Sequence, residues 1–356
     1  MNTAVNPPLL KALPKSPGVW AQGWKRLKSD RIGMVALYVT LFFVVLVLLA
    51  QLGLVAKDWQ KEVGVPFAAP TLVGKIADGT QNAIVETVVG PNVDISDVDP
   101  LAPRYAEWAA RAARITTVVT EKSDTLPFGA DQQGRDVLSK VIKGAQVSIT
   151  VGLAAALVAT LIGTVLGAIG GYFGGKVGDL LEWVYNVFTA IPYILLVFAL
   201  AAVLKSGPLA SVLGSGVWTI IIILGLVGWT GIYRLVRAEY MKHRSREYVR
   251  AAEAIGASHA SRMFGHILPN ISHVVLVQLS LHVVGFIKAE VILSYLGLGV
   301  PIDMVSWGTM LAEAQTELVQ GKWWQLATAT VFMATFVTAF ALLTDALRDA
   351  LDPKLR

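Results

Sequence analysis

The chain has 356 residues, of which 54% are hydrophobic and 15% charged, with a mean hydropathy of +0.59. Soluble domains carry about 25% charged residues, so this composition excludes an ordinary soluble globule and points to a membrane protein. The absence of cysteine removes disulfides, thiolate metal sites and thiol nucleophiles. The net charge of +5 would invite nucleic acid in a soluble protein, but in a membrane chain only the placement of Lys and Arg carries meaning, and no nucleic acid is expected.

The amino-terminal segment "SPGVWAQGWKRLKSD" sets Trp20, Trp24 and Leu27 at i, i+4 and i+7, with Lys25, Arg26 and Lys28 on other faces. That spacing predicts a helix lying in the headgroup interface of the bilayer. A spanning helix needs about 20 apolar residues, and six stretches qualify. They run from Ile32 to Val55, Val147 to Ile169, Leu180 to Leu204, Val217 to Val236, Val274 to Leu296 and Leu326 to Leu347. The first has no small-residue cleavage site after it and reads as a retained anchor. Basic residues cluster before it (Lys11, Lys15, Lys25, Arg26, Lys28, Arg31), between the fourth and fifth stretches (Arg234, Arg237, Lys242, Arg244, Arg246, Arg250, Arg262) and at the end (Arg348, Lys354, Arg356). All three belong on the cytoplasmic side, which places both termini there.

Between the first two spans lies an extracytoplasmic insertion, 56–146, of mixed charge; its "RYAEWAARAARI" should form a short helix, and nothing in it looks catalytic. Gly163, Gly167 and Gly171 recur every four residues in the second span, a stripe that lets helix backbones approach closely. The nearby "GGYFGGKV" satisfies the glycine and lysine positions of a phosphate-binding loop. However, Val177 stands where Ser or Thr must ligate magnesium, and an apolar helix precedes it where a strand is required. His243, His259, His266, His273 and His282 lack carboxylate companions and are interrupted by Pro269, so no metal site is expected. "GASHA" lacks the second glycine of a nucleophile elbow. The chain is read as non-catalytic.

Lys288 and Glu290 sit inside the fifth span, where a charge costs about 2.5 to 3.5 kcal/mol on insertion scales, so each must face protein or water. Two positions apart, they point about 200° from each other and do not simply pair. Glu290 is open to a pathway-lining or a structural role; Lys288 is open to a pathway role or to snorkelling toward an interface.

The stretch "AAEAIGASHASRMFGHILPN", Ala251–Asn270, is the most informative. Tyr248, Ala251, Ala252 and Ile255 fall at i, i+3, i+4 and i+7, an apolar stripe of mostly methyl groups with Arg246, Arg250 and Glu253 on other faces. Gly256 permits a turn, Ser258 caps a second short helix with Met263, Phe264 and Ile267 on its apolar face, and Pro269 suits the first turn of the re-entering span. Such a small-residue knuckle buries against another protein's groove at low entropy cost.

These residues resemble the cytoplasmic signature loop of ABC importer permeases, and within them the second of the two paired subunits of the oligopeptide and dipeptide importers. "FGADQQGRDVLSKVIKGAQVSITVG", "GGYFGGKVGD", "AIPYILL", "EVILSYLGLGVP", "SWGTML" and "DALRDALDP" extend the resemblance almost continuously from Phe128 to Pro353. Two positions depart from it: Arg250 stands where the general signature has Glu, and Lys288 where the subfamily is apolar; the insertion is also longer.

The resemblance implies an all-α, six-span, type I ABC importer permease in a bacterial inner membrane, with a cytoplasmic segment 1–31, a first span 32–55, the insertion 56–146, a permease core 147–347 with coupling loop 237–271, and a cytoplasmic tail 348–356. It implies a heterodimer with a homologous permease, two cytoplasmic ATPase subunits that hold ATP and Mg, and an extracytoplasmic substrate-binding protein, with no cofactor on this chain. Arg250, Ala251, Ala252, Glu253, Gly256, Ala257 and Ser258 would contact the ATPase. Nickel chelates or another small solute are the alternative cargo. A stand-alone secondary transporter would show inverted repeats, and none is evident.

Overall fold

The computed structural model describes residues 19–74, 99–112, 122–206, 216–301 and 303–351. Lys11, Lys15, Lys354 and Arg356, and the side chain of Trp20, lie outside these described residues. Helix α1 (Val19–Ser29) buries Leu27 and leaves Trp24 half exposed with Lys28 Nζ 5.3 Å from its ring centre. Asp30 breaks the chain between helices, its carboxylate accepting from Ile32 N–H at 3.0 Å as the N-cap of α2 (Arg31–Gln51).

Among the described residues, five helices are long and apolar enough to cross a membrane, or six if one bent pair counts as a single span. That pair corrects the expected straight third span. α5 (Gly175–Thr189) and α6 (Tyr193–Ser206) meet at 85°. Pro192 is the reason: it has no N–H to donate and it disfavours helical geometry at Ile191. The end of α5 is tied off by Thr189, whose hydroxyl donates to Tyr185 O at 3.0 Å and Asn186 O at 3.3 Å. The other spans are α2, α4 (Val137–Phe173), α7 (Val217–His243), α9 (Leu268–Tyr295) and α11 (Trp324–Leu351). α4 starts ten residues earlier than the apolar stretch suggested, at Val137 in place of Val147, because polar residues that cannot face lipid continue it below the apolar run.

Residues 1–55, 141–313 and 329–356 form one unit. Glycine decides its packing. A Cβ on Gly163 would lie 2.5 Å from Trp229 O, one on Gly167 2.8 Å from Tyr233 O, and one on Gly171 2.5 Å from Arg237 O. The stripe therefore sets α4 against the bare backbone of α7, the close approach that replaces hydrophobic drive between helices in a bilayer. Across α7, Tyr185 stacks on Tyr233 at 5.5 Å, and Arg237 pairs with Glu182 at 2.8 Å. α2 is pinned by Phe43, whose ring meets Trp307, Phe332 and Phe336 edge-on at 6.5, 6.0 and 5.3 Å.

Residues 56–140 and 314–328 form a second unit. Besides most of the insertion, this unit takes in 15 residues that start within α10 (Trp307–Val319). It holds a parallel pair, β1 (Gly64–Pro70) and β2 (Ser123–Leu126), and the expected short helix, α3 (Tyr105–Ala112). Its centre is polar. The Asp131 carboxylate accepts from Lys140 Nζ and Arg135 Nε, both at 2.7 Å, and from the N–H groups of Gln133 and Arg135 at 2.9 and 3.0 Å. Lys140 also reaches Gln325 at 3.3 Å, and Trp324 Nε1 donates to Ala130 O at 2.7 Å. Burial pushes the Asp131 carboxyl up, but the charge and hydrogen bond of Lys140, the Arg135 amide and the Arg135 charge together hold it below the ordinary carboxylate range.

A carboxyl lowered on folding gives stability that is complete above its unfolded pKa of about 3.9 and drains away as the pH falls through the lower folded value. Asp131→Asn removes the buried carboxylate that Lys140 and Arg135 share and is expected to destabilise this unit by about 3 kcal/mol. Limited proteolysis of the purified protein should show cleavage within 122–140 in the variant at neutral pH, and there in the parent only well below pH 4.

Candidate functional site

The knuckle between α7 and α9 is built from the end of α7 outward. α8 (Glu247–Ala254) ends at Gly256, whose φ of +85° is the left-handed conformation that glycine adopts without strain. Ser258 Oγ then accepts from Ser261 N–H at 3.2 Å, the capping that its sequence position suggested.

Beyond this cap the structure departs from expectation. Residues Ser261–Ile267 form a π-helix that runs straight into α9, so the second short helix is the foot of the span itself. Pro269 accounts for it. In an α-helix its ring would clash with Gly265 O and leave that carbonyl unpaired; the wider turn relieves the clash, with Leu268 N–H bonded to Met263 O and the Asn270 amide donating to His266 O at 2.7 Å.

The predicted single stripe on α8 is divided. Ala252 and Val249 are buried, whereas Tyr248, Ala251 and Ile255 face outward, Ile255 at 85% exposure. A stripe at i, i+3, i+4 and i+7 spans about 100°, wide enough for one edge to pack inward while the other remains bare. From that side of α8, Val249 joins a core of Ala168, Ile232, Val236, Tyr240, Met263, Ile267 and Ile271 from α4, α7, the π-helix and α9, and Tyr240 closes it by donating to Met263 O at 3.0 Å. Arg250, Ala251, Gly256 and Ser258 are exposed and Ala257 is half-buried. Glu253 is exposed too, yet it is bonded within the chain.

Its partner was not singled out by the sequence. Arg262 is buried, with Nη1 2.6 Å from Glu253, Nη2 3.0 Å from His259 Nδ1, and its guanidinium 5.8 Å from the centre of the Tyr172 ring at the end of α4. An arginine nitrogen can only donate, so His259 Nδ1 is the acceptor and its proton lies on Nε2. The Tyr172 hydroxyl reaches the same Nδ1 at 3.0 Å, and Arg244 donates to Tyr172 O at 3.3 Å. These five side chains fasten the knuckle to the end of α4. One more arginine among many in a basic loop gives no signal in sequence.

The structure does not bring Lys288 and Glu290 together. Lys288 is exposed, whereas Glu290 is fully buried. Glu290 Oε1 accepts from Ser294 Oγ at 2.6 Å, and the Ser148 and Ser306 hydroxyls lie around the same carboxyl. Ser294 Oγ in turn accepts from Val300 N–H at 3.2 Å, and Ser148 Oγ from Trp307 N–H at 3.2 Å, so the cluster ties α4, α9 and the start of α10. "GGYFGGKV" lies where α4 turns into α5, helix to helix.

With this geometry in view, the chain was compared with known proteins. Residues 163–356 match the family model described as binding-protein-dependent transport system inner membrane component. The chain belongs to this family. The dipeptide transport system permease protein DppC of Bacillus subtilis is 31% identical to this inner-membrane component over 333 residues, covering 94% of this chain and 85% of that protein. The oligopeptide transport system permease protein OppC of Salmonella typhimurium is 38% identical over 229 residues, 64% of this chain and 72% of that protein. A chain of the MetNI methionine ABC transporter, solved in inward-facing conformations, is similar at a TM-score of 0.48 and 15% identity, over 60% of this chain and 96% of that one.

Substitutions at two positions test the internal ties. Arg262→Leu should loosen α8 by about 1 to 2 kcal/mol, a 5- to 30-fold rise in local opening, read as faster amide exchange over 247–256 with the rest of the bundle unchanged. Glu290→Ala should cost about 2 to 3 kcal/mol by stranding hydroxyls, and Glu290→Gln less because its carbonyl still accepts from Ser294; thermal unfolding in detergent ranks the two.

Proposed function

We propose that the chain is a permease subunit of an ATP-driven peptide importer, of the second of the two paired types. The inner-membrane transport family is its own; the cargo is inferred from the relatives, dipeptide and oligopeptide permeases by name. On this reading it works in a complex with a homologous permease, two ATPases and a binding protein, with both termini on the ATPase side. ATP and Mg are held by the ATPases, and this chain does no chemistry.

The observation that carries the reading is the knuckle. It offers a bare apolar edge, Tyr248, Ala251 and Ile255, beside exposed Arg250, while its other edge is locked to three helices of the bundle. A surface meant only to close a loop would bury Ile255. An edge open on one side and rigidly keyed on the other suits a lever: a motor that binds it differently in two states shifts the bundle between two arrangements by that difference in affinity. Arg250 is placed to pair with an acid on the ATPase.

Gly256 gives the test. A Cβ there would meet no atom within 4 Å, but the positive φ costs any other residue about 1 to 2 kcal/mol. Gly256→Ala should therefore reduce coupling mildly. Gly256→Trp, which also fills the docking face, should abolish substrate-stimulated ATP hydrolysis in the reconstituted complex while the chain still assembles in the membrane. Full stimulation in Gly256→Trp would reject the assignment.

A further inference from the structure

One face of α9 is left bare by its own unit, and its composition does not suit a face turned to lipid. Gln278, Leu281, Gly285, Lys288, Ile292 and Tyr295 follow at the spacing of a single helical stripe. Leu281, Ile292 and Tyr295 are 45, 43 and 41% exposed, Gly285 and Lys288 are exposed, and Gln278 is half-buried. The ammonium in the middle is the anomaly. Among the described residues Lys288 has no acidic partner, and Glu290 is spent on the buried serine cluster on the other side of the helix.

Lys288 also has no short way out of the span. It lies seven residues before the end of α9 at Tyr295, about 10 Å along the axis. The Cα–Cβ bonds of a helix tilt toward its N-terminus, so the lysine stem runs back over Gly285, away from the nearer end. A Cβ on Gly285 would meet nothing within 4 Å, so the helix surface one turn before Lys288 is open. A charge within the span, on an exposed face beside an open glycine and with no acidic partner among the described residues, needs water and an anion.

We propose that this stripe of α9 lines the hydrated translocation pathway, and that Lys288 binds the carboxylate of the passing peptide. The inference rests on the reading of the chain as a peptide importer subunit. Every unmodified peptide has a terminal carboxylate, so a single cation serves cargo of any sequence, and acidic side chains offer the same chemistry. Lys288 is then a specificity residue and Glu290 a structural one, which separates the two intramembrane charges.

The test uses the complete complex, with both permeases, both ATPases and the binding protein, in vesicles. Initial uptake is compared for trialanine, its C-terminal amide, and an amidated tripeptide with a central glutamate. Lys288→Met should lower uptake of trialanine roughly tenfold more than uptake of its amide, the size of one charge-assisted hydrogen bond, and Lys288→Arg should keep the parental ratio. If the glutamate peptide follows trialanine, side-chain carboxylates share the site; if it follows the amide, only the terminus binds. Equal losses for trialanine and its amide would overturn the proposal, assigning Lys288 to an ion pair with the partner permease. Because this chain has no cysteine, Lys288→Cys can be probed in the same complex with a charged, membrane-impermeant thiol reagent. Labelling that trialanine slows is expected; failure to label would also overturn the proposal. A parental complex that hydrolyses ATP yet moves none of the three peptides would instead reject the peptide reading itself.

Discussion

The structure depends on how closely α4 and α7 approach. Lipid tails are as apolar as leucine, so helices in a bilayer gain nothing from hiding apolar surface and must win by contact. Gly163, Gly167 and Gly171 supply that contact by removing every side chain between the two backbones, with Trp229 O, Tyr233 O and Arg237 O in the space where methyl groups would stand. α7 is accordingly the best-buried span, 67% of its most apolar stretch, against 28% for α2 and 22% for α11. A glycine contact has no rotamers to reset. The pair therefore moves as one body, and what is fastened to it moves too.

The knuckle is fastened there twice. Val249 enters the apolar core that α4 and α7 share, and Arg262 links Glu253, His259 and Tyr172 in a polar clasp at the end of α4. Apolar contact alone lets a short helix roll; a guanidinium held on three sides adds direction. This division explains why α8, only eight residues long and unable to persist alone in water, can serve as a rigid element.

Much of this was legible in the sequence because it rests on local chemistry: spans from apolar length, the packing stripe from a four-residue glycine repeat, the turn at Gly256, the cap at Ser258. What was not legible rests on events that length and periodicity do not encode. Pro192 breaks a span whose hydropathy runs on unbroken. Pro269 widens the helix at its foot, although proline in a first turn ordinarily signals only a start. Residues 314–328 complete the second unit from nearly two hundred positions away, through Gln325 and Trp324. Of the two intramembrane charges, sequence could say that both needed company; only the fold shows that one finds three serines and the other finds none of its own.

The π-helix at Ser261–Ile267 has a wider bearing. Each such turn takes one residue more than an α-turn, and one residue is worth about 100° of rotation. The azimuth of the whole span above it, and with it the direction in which Gly285 and its neighbours face, is thus written at the foot of the helix by a proline and not by the apolar residues of the span. The compass of α9 is set beside the knuckle, where the motor would grip.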